Sequence, residues 1–356
     1  LHNREIVTRV DDSVVNVTNG EPTIFRRARG YAPSPFTVPW QLPKILGCGA
    51  ELKNTFCLGR DRLTFLSQHL GNLTNLESYD FYTESIEHMG DVLQHEPEVV
   101  ACDLHPDYMS SKYAKLLNIP LYRIQHHHAH AVAVMAEHGI DQPVLAVIMD
   151  GSGYGPDGTV WGGEILEADL TSYSRLAHLS HLHLPGGDSA AAQPWRMALS
   201  ALYSLGGEAG LQRDQLPESL KELDPSRVEI IRTMMDKNFN SPLTSSCGRL
   251  FDAVAALLGI CQNNGYEGQA AMELEALAKK AVTSLWLDDI LLSPSIKKPH
   301  HLIEKNGKLQ LCSQGIVKTV LDGITRGDAV PVNALHFHKM LISSVALLIL
   351  RLSSLT

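Results

Sequence analysis

The chain has 356 residues, 44% hydrophobic and 19% charged, enough for two or three compact units with cores of their own. Thirty Lys and Arg against 39 Asp and Glu leave a formal net charge of −9, without the basic surplus expected of a protein that binds a phosphate backbone. Nucleic acid is therefore not an expected partner.

Residues 5–10 and 13–17 read as short strands, followed by the basic run Phe25-Arg-Arg-Ala-Arg-Gly-Tyr-Ala-Pro33. This opening piece is too small to hold a core alone. Residues 1–34 are thus expected to be the tail of a preceding domain, with Pro33, Pro35 and Pro39 forming a stiff linker. Residues 44–57 read as strand, tight turn, strand. Helices are expected at 75–81, 82–95, 109–117 and 126–138, and strands at 99–103 and 120–125. That alternation indicates an α/β fold with a largely parallel sheet.

The opening pattern then recurs, with a buried strand at 144–149, a glycine-rich turn at 150–158 and a returning strand at 159–166. Two such units, residues 35–142 and 143–356, are expected to face each other across a cleft in the two-lobed actin/sugar-kinase/Hsp70-like (ASKHA) architecture. The second half reads as mainly helical, at 194–206, 228–237, 246–258 and 269–285. A hairpin-like insertion at 291–311 precedes the last helices.

Six cysteines stand far apart with no CxxC pair, which fits buried thiols in a reducing compartment. No signal peptide is read, and the apolar run at 345–350 is too short to span a bilayer. The expected address is the cytoplasm, with no membrane partner. The first residue is Leu1 and the chain stops at Thr356, so both ends are expected to be cuts in a longer polypeptide.

Four constellations carry chemistry. In Gln125-His-His-His-Ala-His130 a strand gives way to a helix, and His126 and His130, four apart, share one face as a metal requires. Zinc or iron suits two imidazoles, and a third ligand, usually a carboxylate, must come from elsewhere. The alternative is a solvated helix start. His127 with His130 is a weaker competing pair, and His128 is expected to point elsewhere.

In Asp150-Gly-Ser-Gly-Tyr-Gly155, glycines would admit phosphate oxygens to backbone N–H groups, and Asp150 could hold a magnesium-bound water. A plain hairpin turn is the alternative. Asp252 lies on an otherwise apolar helix, a costly placement unless the carboxylate is paired or working. Ribose hydroxyls would suit it; so would Arg249 or a neighbouring helix end. Tyr266-Glu-Gly268 is a glycine turn opening a helix, where an anion could dock. Arg26, Arg27 and Arg29 suit a phosphate such as that of carbamoyl phosphate, or a solvated strand edge.

Read together, these blocks resemble the HypF family. The matching runs include Phe25–Pro33, Gly49-Ala-Glu-Leu-Lys-Asn54, Ser67-Gln-His-Leu-Gly71, Cys102-Asp-Leu-His-Pro-Asp107, Gln125–His130, Leu184-Pro-Gly-Gly-Asp188 and Pro194-Trp-Arg-Met197, in family order. The resemblance implies an ATP-dependent carbamoyltransferase that makes the precursor of the cyanide ligands of nickel–iron hydrogenases. A YrdC-like domain uses carbamoyl phosphate and ATP to form carbamoyl adenylate. An ASKHA domain with ribonuclease H-like lobes, similar to the tRNA threonylcarbamoyl-transfer enzymes, then carbamoylates the C-terminal cysteine of HypE.

Carried over residue by residue, the resemblance makes His126 and His130 metal ligands for zinc or iron. Asp150, Gly151, Ser152 and Gly153 become the first phosphate-contacting turn, served by magnesium. Asp252, Glu267 and Gly268 line the adenylate pocket. Glu51 and Lys53 lie near the reaction centre, and Arg26, Arg27 and Arg29 near the phosphates of the YrdC-like tail. The family's Ser-Gly-Gly-Val loop and late Asp-Gly-Gly turn, whose Asp is the third metal ligand, do not occur here. The second lobe and both sites are therefore expected to be incomplete, which keeps a non-catalytic scaffold open as an alternative. A tRNA threonylcarbamoyl-transfer enzyme is the other rival, and the Glu-Leu-Lys-Asn and Leu-Pro-Gly-Gly-Asp blocks argue against it.

Overall fold

A computed structural model describes residues 3, 6, 8–18, 20–282, 302–305 and 308–353. The chain divides into two compact units, Leu1–Gln142 and Pro143–Thr356.

In the first unit, β1 (Val14–Thr18) and β2 (Glu21–Arg26) pair as an antiparallel hairpin. Part of the basic run is therefore strand. No strand forms at residues 6 and 8–10; residues 5 and 7 lie outside the described residues. Next comes β3 (Phe36–Gly47), which runs through the segment read from its prolines as a linker. Its pairing with β4 (Cys57–Leu66) slips between Thr37 and Leu42 and again between Leu42 and Ile45. Pro39 and Pro43 fall in those gaps, where no ladder N–H is needed.

The helices read at 75–81 and 82–95 are one helix, α1 (Leu76–Leu93). Asn75 caps it by accepting from the Ser78 amide at 2.8 Å, and Gln94 ends it in the left-handed region at φ 50°. Then follow β5 (Val99–Asp103), α2 (Met109–Leu116), β6 (Leu121–Ile124) and α3 (His126–His138). The sheet order is β4-β3-β5-β6, with β3, β5 and β6 parallel. Tyr82 centres the core: it is fully buried, donates to the Cys48 carbonyl at 3.1 Å, and meets Phe56 and Tyr113 edge-on.

The second unit carries the expected helices together with a larger sheet than expected. Its seven-stranded sheet holds β7 (Val144–Tyr154), β8 (Val160–Ala168), β9 (Tyr173–Leu179), β10 (Leu182–His183), β11 (Leu243–Thr244), β12 (Leu302–Lys305) and β13 (Lys308–Leu311). The last two strands pair antiparallel within the expected hairpin-like insertion; residues 291–301 and 306–307 of that expectation lie outside the described residues. β9 was not legible because Arg175 and His178 break its apolar pattern, and two-residue strands carry no period at all.

Packed with this sheet are α4 (Asp188–Ala192), α5 (Pro194–Gly206), α6 (Pro225–Asp236), α7 (Cys247–Leu257), α8 (Gln269–Lys280), α9 (Ser313–Arg326) and α10 (Val330–Ser353). Residues 283–285, read as the end of α8, lie outside the described residues. The run at 345–350 is the end of α10, a 24-residue helix long and apolar enough by length and composition to cross a membrane. Here it packs one stripe, Ala334, Phe337, Leu341, Leu348 and Leu352, into the unit's core and touches α8 and α9.

Phe56 is fully buried at the centre of the first core. Phe56→Ala is expected to lower stability by about 3–5 kcal/mol, read as a fall in the urea midpoint at unchanged slope.

Candidate functional site

In the first unit, β5 and β6 lie parallel with Asp103 in register with Ile124. The carboxylate at the end of one strand is thereby set beside the helix that follows the other. Gln125 caps that helix by accepting from the His128 amide at 2.9 Å. One oxygen of Asp103 accepts from the His105 amide at 2.8 Å. The other lies 2.7 Å from His126 Nδ1. Such a contact places the proton on Nδ1 and leaves a lone pair on Nε2. That Nε2 lies 3.2 Å from His130 Nε2.

These residues fit a metal. Two nitrogens about 2.0–2.1 Å from one tetrahedral zinc are separated by about 3.3 Å. A carboxylate behind a ligating imidazole is the usual outer support. His127 of the competing pair is fully buried, with Gln125 Nε2 at 3.3 Å from its Nδ1 and its ring centroid 6.2 Å from that of His130. His128 is also buried.

Glu51 and Lys53 occupy the loop between β3 and β4. Glu51 accepts from the Met109 amide at 2.7 Å and so caps α2 from a distance. Burial raises its pKa, opposed by that amide and by Lys112 and His105. Lys53 has φ 48°, and its amide donates to Asn72 Oδ1 at 2.9 Å. Arg27 and Arg29 have separate partners. Arg27 donates to the carbonyls of Tyr31 and Ser34 and lies 4.5 Å over the Phe36 ring. Arg29 donates to the Val10 carbonyl and pairs with Asp12. Both tie down the N-terminal segment, and Arg26, like Arg29, is exposed.

In the second unit, the glycine-rich stretch is not one turn. β7 continues to Tyr154 with a bulge between Met149 and Gly153, and the chain turns only at residues 155–159. The bulge rests on the start of α7. Ser246 caps α7 by accepting from the Arg249 amide at 3.0 Å, and donates to the Gly151 carbonyl at 2.5 Å. Gly162 and Gly248 permit this approach, because a Cβ on either would press on Asp150 or Gly151 backbone at 2.7 and 3.0 Å. At Gly151 itself a Cβ would meet open space and φ is not positive, so the fold does not demand glycine there. An approaching ligand would. Asp150 Oδ1 accepts from the Gly151 amide at 2.6 Å; Ser152 and Gly153 complete the bulge.

Asp252 on α7 is 1% exposed and lies 2.6 Å from Arg249 Nε. Burial raises its pKa, opposed by Arg249 and by Asn264. The expected pairing with Arg249 is present. Asn264 also accepts from the Ala270 amide in the first turn of α8, which joins Asp252 to the helix that Gly268 opens at φ 76°. Glu267 is exposed on that turn. Sequence reasoning missed Asp103. Its signal was a carboxylate closing an apolar strand, Val99-Val-Ala-Cys-Asp103.

Two outcomes follow. Asp103→Asn is expected to weaken zinc binding, measured by calorimetry, by about 10–100-fold, and His126→Ala to remove it. Burial pushes the thiols of Cys48 and Cys247 up to about 12 and that of Cys57 up to about 11. At pH 8 their thiolate fractions are then on the order of 10⁻³ to 10⁻⁴. Iodoacetamide should label them in the native chain only when the pH is raised toward those values.

Two family profiles match the chain. One, described as HypF Kae1-like domain, covers residues 41–137; the other, described as carbamoyltransferase, Kae1-like domain, second subdomain, covers 146–356. Carbamoyltransferase HypF of Rhizobium leguminosarum bv. viciae is 46% identical over 280 residues, 78% of this chain and 36% of that protein. A carbamoyltransferase HypF homolog of Cupriavidus necator is 38% identical over 291 residues, 80% of this chain and 70% of that one. A crystal structure of full-length HypF in the phosphate- and nucleotide-bound form superposes with TM-score 0.89 at 35% identity, over 100% of this chain and 53% of that chain. The chain thus spans little more than a third of the length of several curated relatives. The expected α/β fold class is the one these HypF structures share. The profile matches and these identities show that the chain belongs to the HypF carbamoyltransferase family.

Proposed function

We propose that the chain is the carbamoyl-transfer part of a hydrogenase-maturation enzyme, acting on carbamoyl adenylate made from carbamoyl phosphate and ATP. The acceptor is the C-terminal cysteine of HypE. The thiolate attacks the carbamoyl carbon, the bond from that carbon to the phosphate oxygen breaks, AMP leaves and a thiocarbamate forms. The leaving group is already activated, so the protein needs only to position it and stabilise the developing oxyanion. The relatives' names support carbamoyl transfer, and a neighbouring HypF was solved with phosphate and nucleotide bound.

The observation that carries the reading is the Asp103–His126–His130 arrangement, with its two converging Nε2 atoms. A zinc or iron(II) ion held by His126 and His130 would supply Lewis-acid polarisation. Asp103 fixes the orientation and tautomer of His126. The bulge at residues 150–153, seated on the start of α7, offers backbone N–H groups to the phosphate of the adenylate, with magnesium at Asp150. Glu267 and Gly268 open α8 toward the nucleotide, and Arg26, exposed on the N-terminal hairpin, would meet phosphate together with Arg27 and Arg29. No cysteine of the chain serves as nucleophile, consistent with the raised pKa of Cys48, Cys57 and Cys247. Six unpaired cysteines support a cytoplasmic address.

The test uses the full-length protein with His126→Ala and His130→Ala. Both should lower carbamoylation of the HypE cysteine by on the order of 100-fold or more. Carbamoyl phosphate-dependent ATP cleavage should fall far less. Unchanged transfer in both variants would remove the imidazole pair from the mechanism.

A further inference from the structure

Arg175 on β9 has only 10% of its side chain exposed and three separate partners. Its Nε donates to Glu164 Oε2 at 2.6 Å, Nη1 to Asp157 Oδ2 at 3.0 Å, and Nη2 to Ser245 Oγ at 3.1 Å. Its Cζ lies 4.0 Å over the Trp161 ring. Those partners belong to three different pieces of chain. Asp157 closes the turn after β7, accepting from the Thr159 amide and hydroxyl and from Trp161 Nε1 at 2.7–3.1 Å. Glu164 is fully buried in β8, where its other oxygen accepts from the Gly162 and Gly163 amides and from Ser245 Oγ. Ser245 immediately precedes Ser246, which caps α7 and holds the Gly151 carbonyl.

We infer that Arg175 is a positioning residue for the bulge at residues 150–153, fixing the span between the hairpin and the start of α7 on which that bulge rests. The fork geometry is what the task needs. A guanidinium directs its donors to three acceptors at once, whereas an ammonium is a point donor on a flexible stem. Glu164 and Ser245 pass the constraint on, because one carboxylate oxygen ties both the β8 backbone and the hydroxyl next to the α7 cap. This role deepens the nucleotide reading of the bulge and rests on it.

Arg175→Ala would leave Glu164 buried without its partner and risks unfolding. The test therefore uses Arg175→Lys and Ser245→Ala in the full-length protein. Hydrogen exchange by mass spectrometry should show faster exchange at residues 150–154 and 246–249 in both, with the first unit unchanged. AMP affinity by calorimetry should fall about tenfold, and zinc affinity should hold at the wild-type value. Unchanged exchange at residues 150–154 in both variants would overturn the inference. A wild-type protein that shows no AMP binding attributable to the second unit would instead overturn the nucleotide reading, while the exchange result still decides whether Arg175 sets the bulge.

Discussion

The parallel register of β5 and β6 brings Asp103 to within 2.7 Å of His126 Nδ1, and the rest of the first site depends on that contact. A histidine at a helix start ordinarily exchanges tautomers and rotates. With a buried carboxylate on Nδ1 it does neither, and its Nε2 becomes an acceptor aimed at His130. The spacing of four along α3 makes the second nitrogen available on the same face. Strand register, helix period and one carboxylate together build a pair of donors at the separation a tetrahedral ion sets.

The second unit solves a different problem with similar means. On the proposed nucleotide reading, the backbone at residues 150–153 must stay open to a ligand and yet be held still. The open side is Gly151, where a Cβ would touch nothing. The held side is a set of close approaches at Gly162 and Gly248 and a hydroxyl from Ser246. Behind these stands a buried carboxylate, Glu164, compensated by Arg175 and by two backbone amides. A buried charge of this kind is costly unless its hydrogen bonds are complete, and here they join three chain segments.

Much of this was legible in the residues. The helix 126–138 was read from its composition to its observed limits, which Gln125 sets as the N-cap and Gly139, in the left-handed region, as the C-cap. The His126–His130 face follows from the same period. What failed, failed for reasons of pairing. Pro39 argued for a linker rather than a strand, but a register slip in β3 relieves it of a ladder bond. The glycine-rich stretch looked like a turn, but a bulge lets β7 continue through it. The roles of Asp103 and Arg175 depend on partners 23 and 70 positions away, a distance over which no local pattern speaks. Two of three arginines in one run proved to bind backbone carbonyls, which composition does not distinguish from phosphate contacts.

The central claim is that Asp103 fixes His126 as an Nδ1-protonated imidazole whose Nε2 joins that of His130 on one ion. Long-range proton–nitrogen NMR of imidazole-labelled protein reads this directly. The account predicts the Nδ1-protonated tautomer for His126 in the metal-free protein, and zinc-induced shifts confined to Nε2 of both rings. An Nε2-protonated His126, or zinc shifts at His127 or His128 in place of this pair, would contradict it.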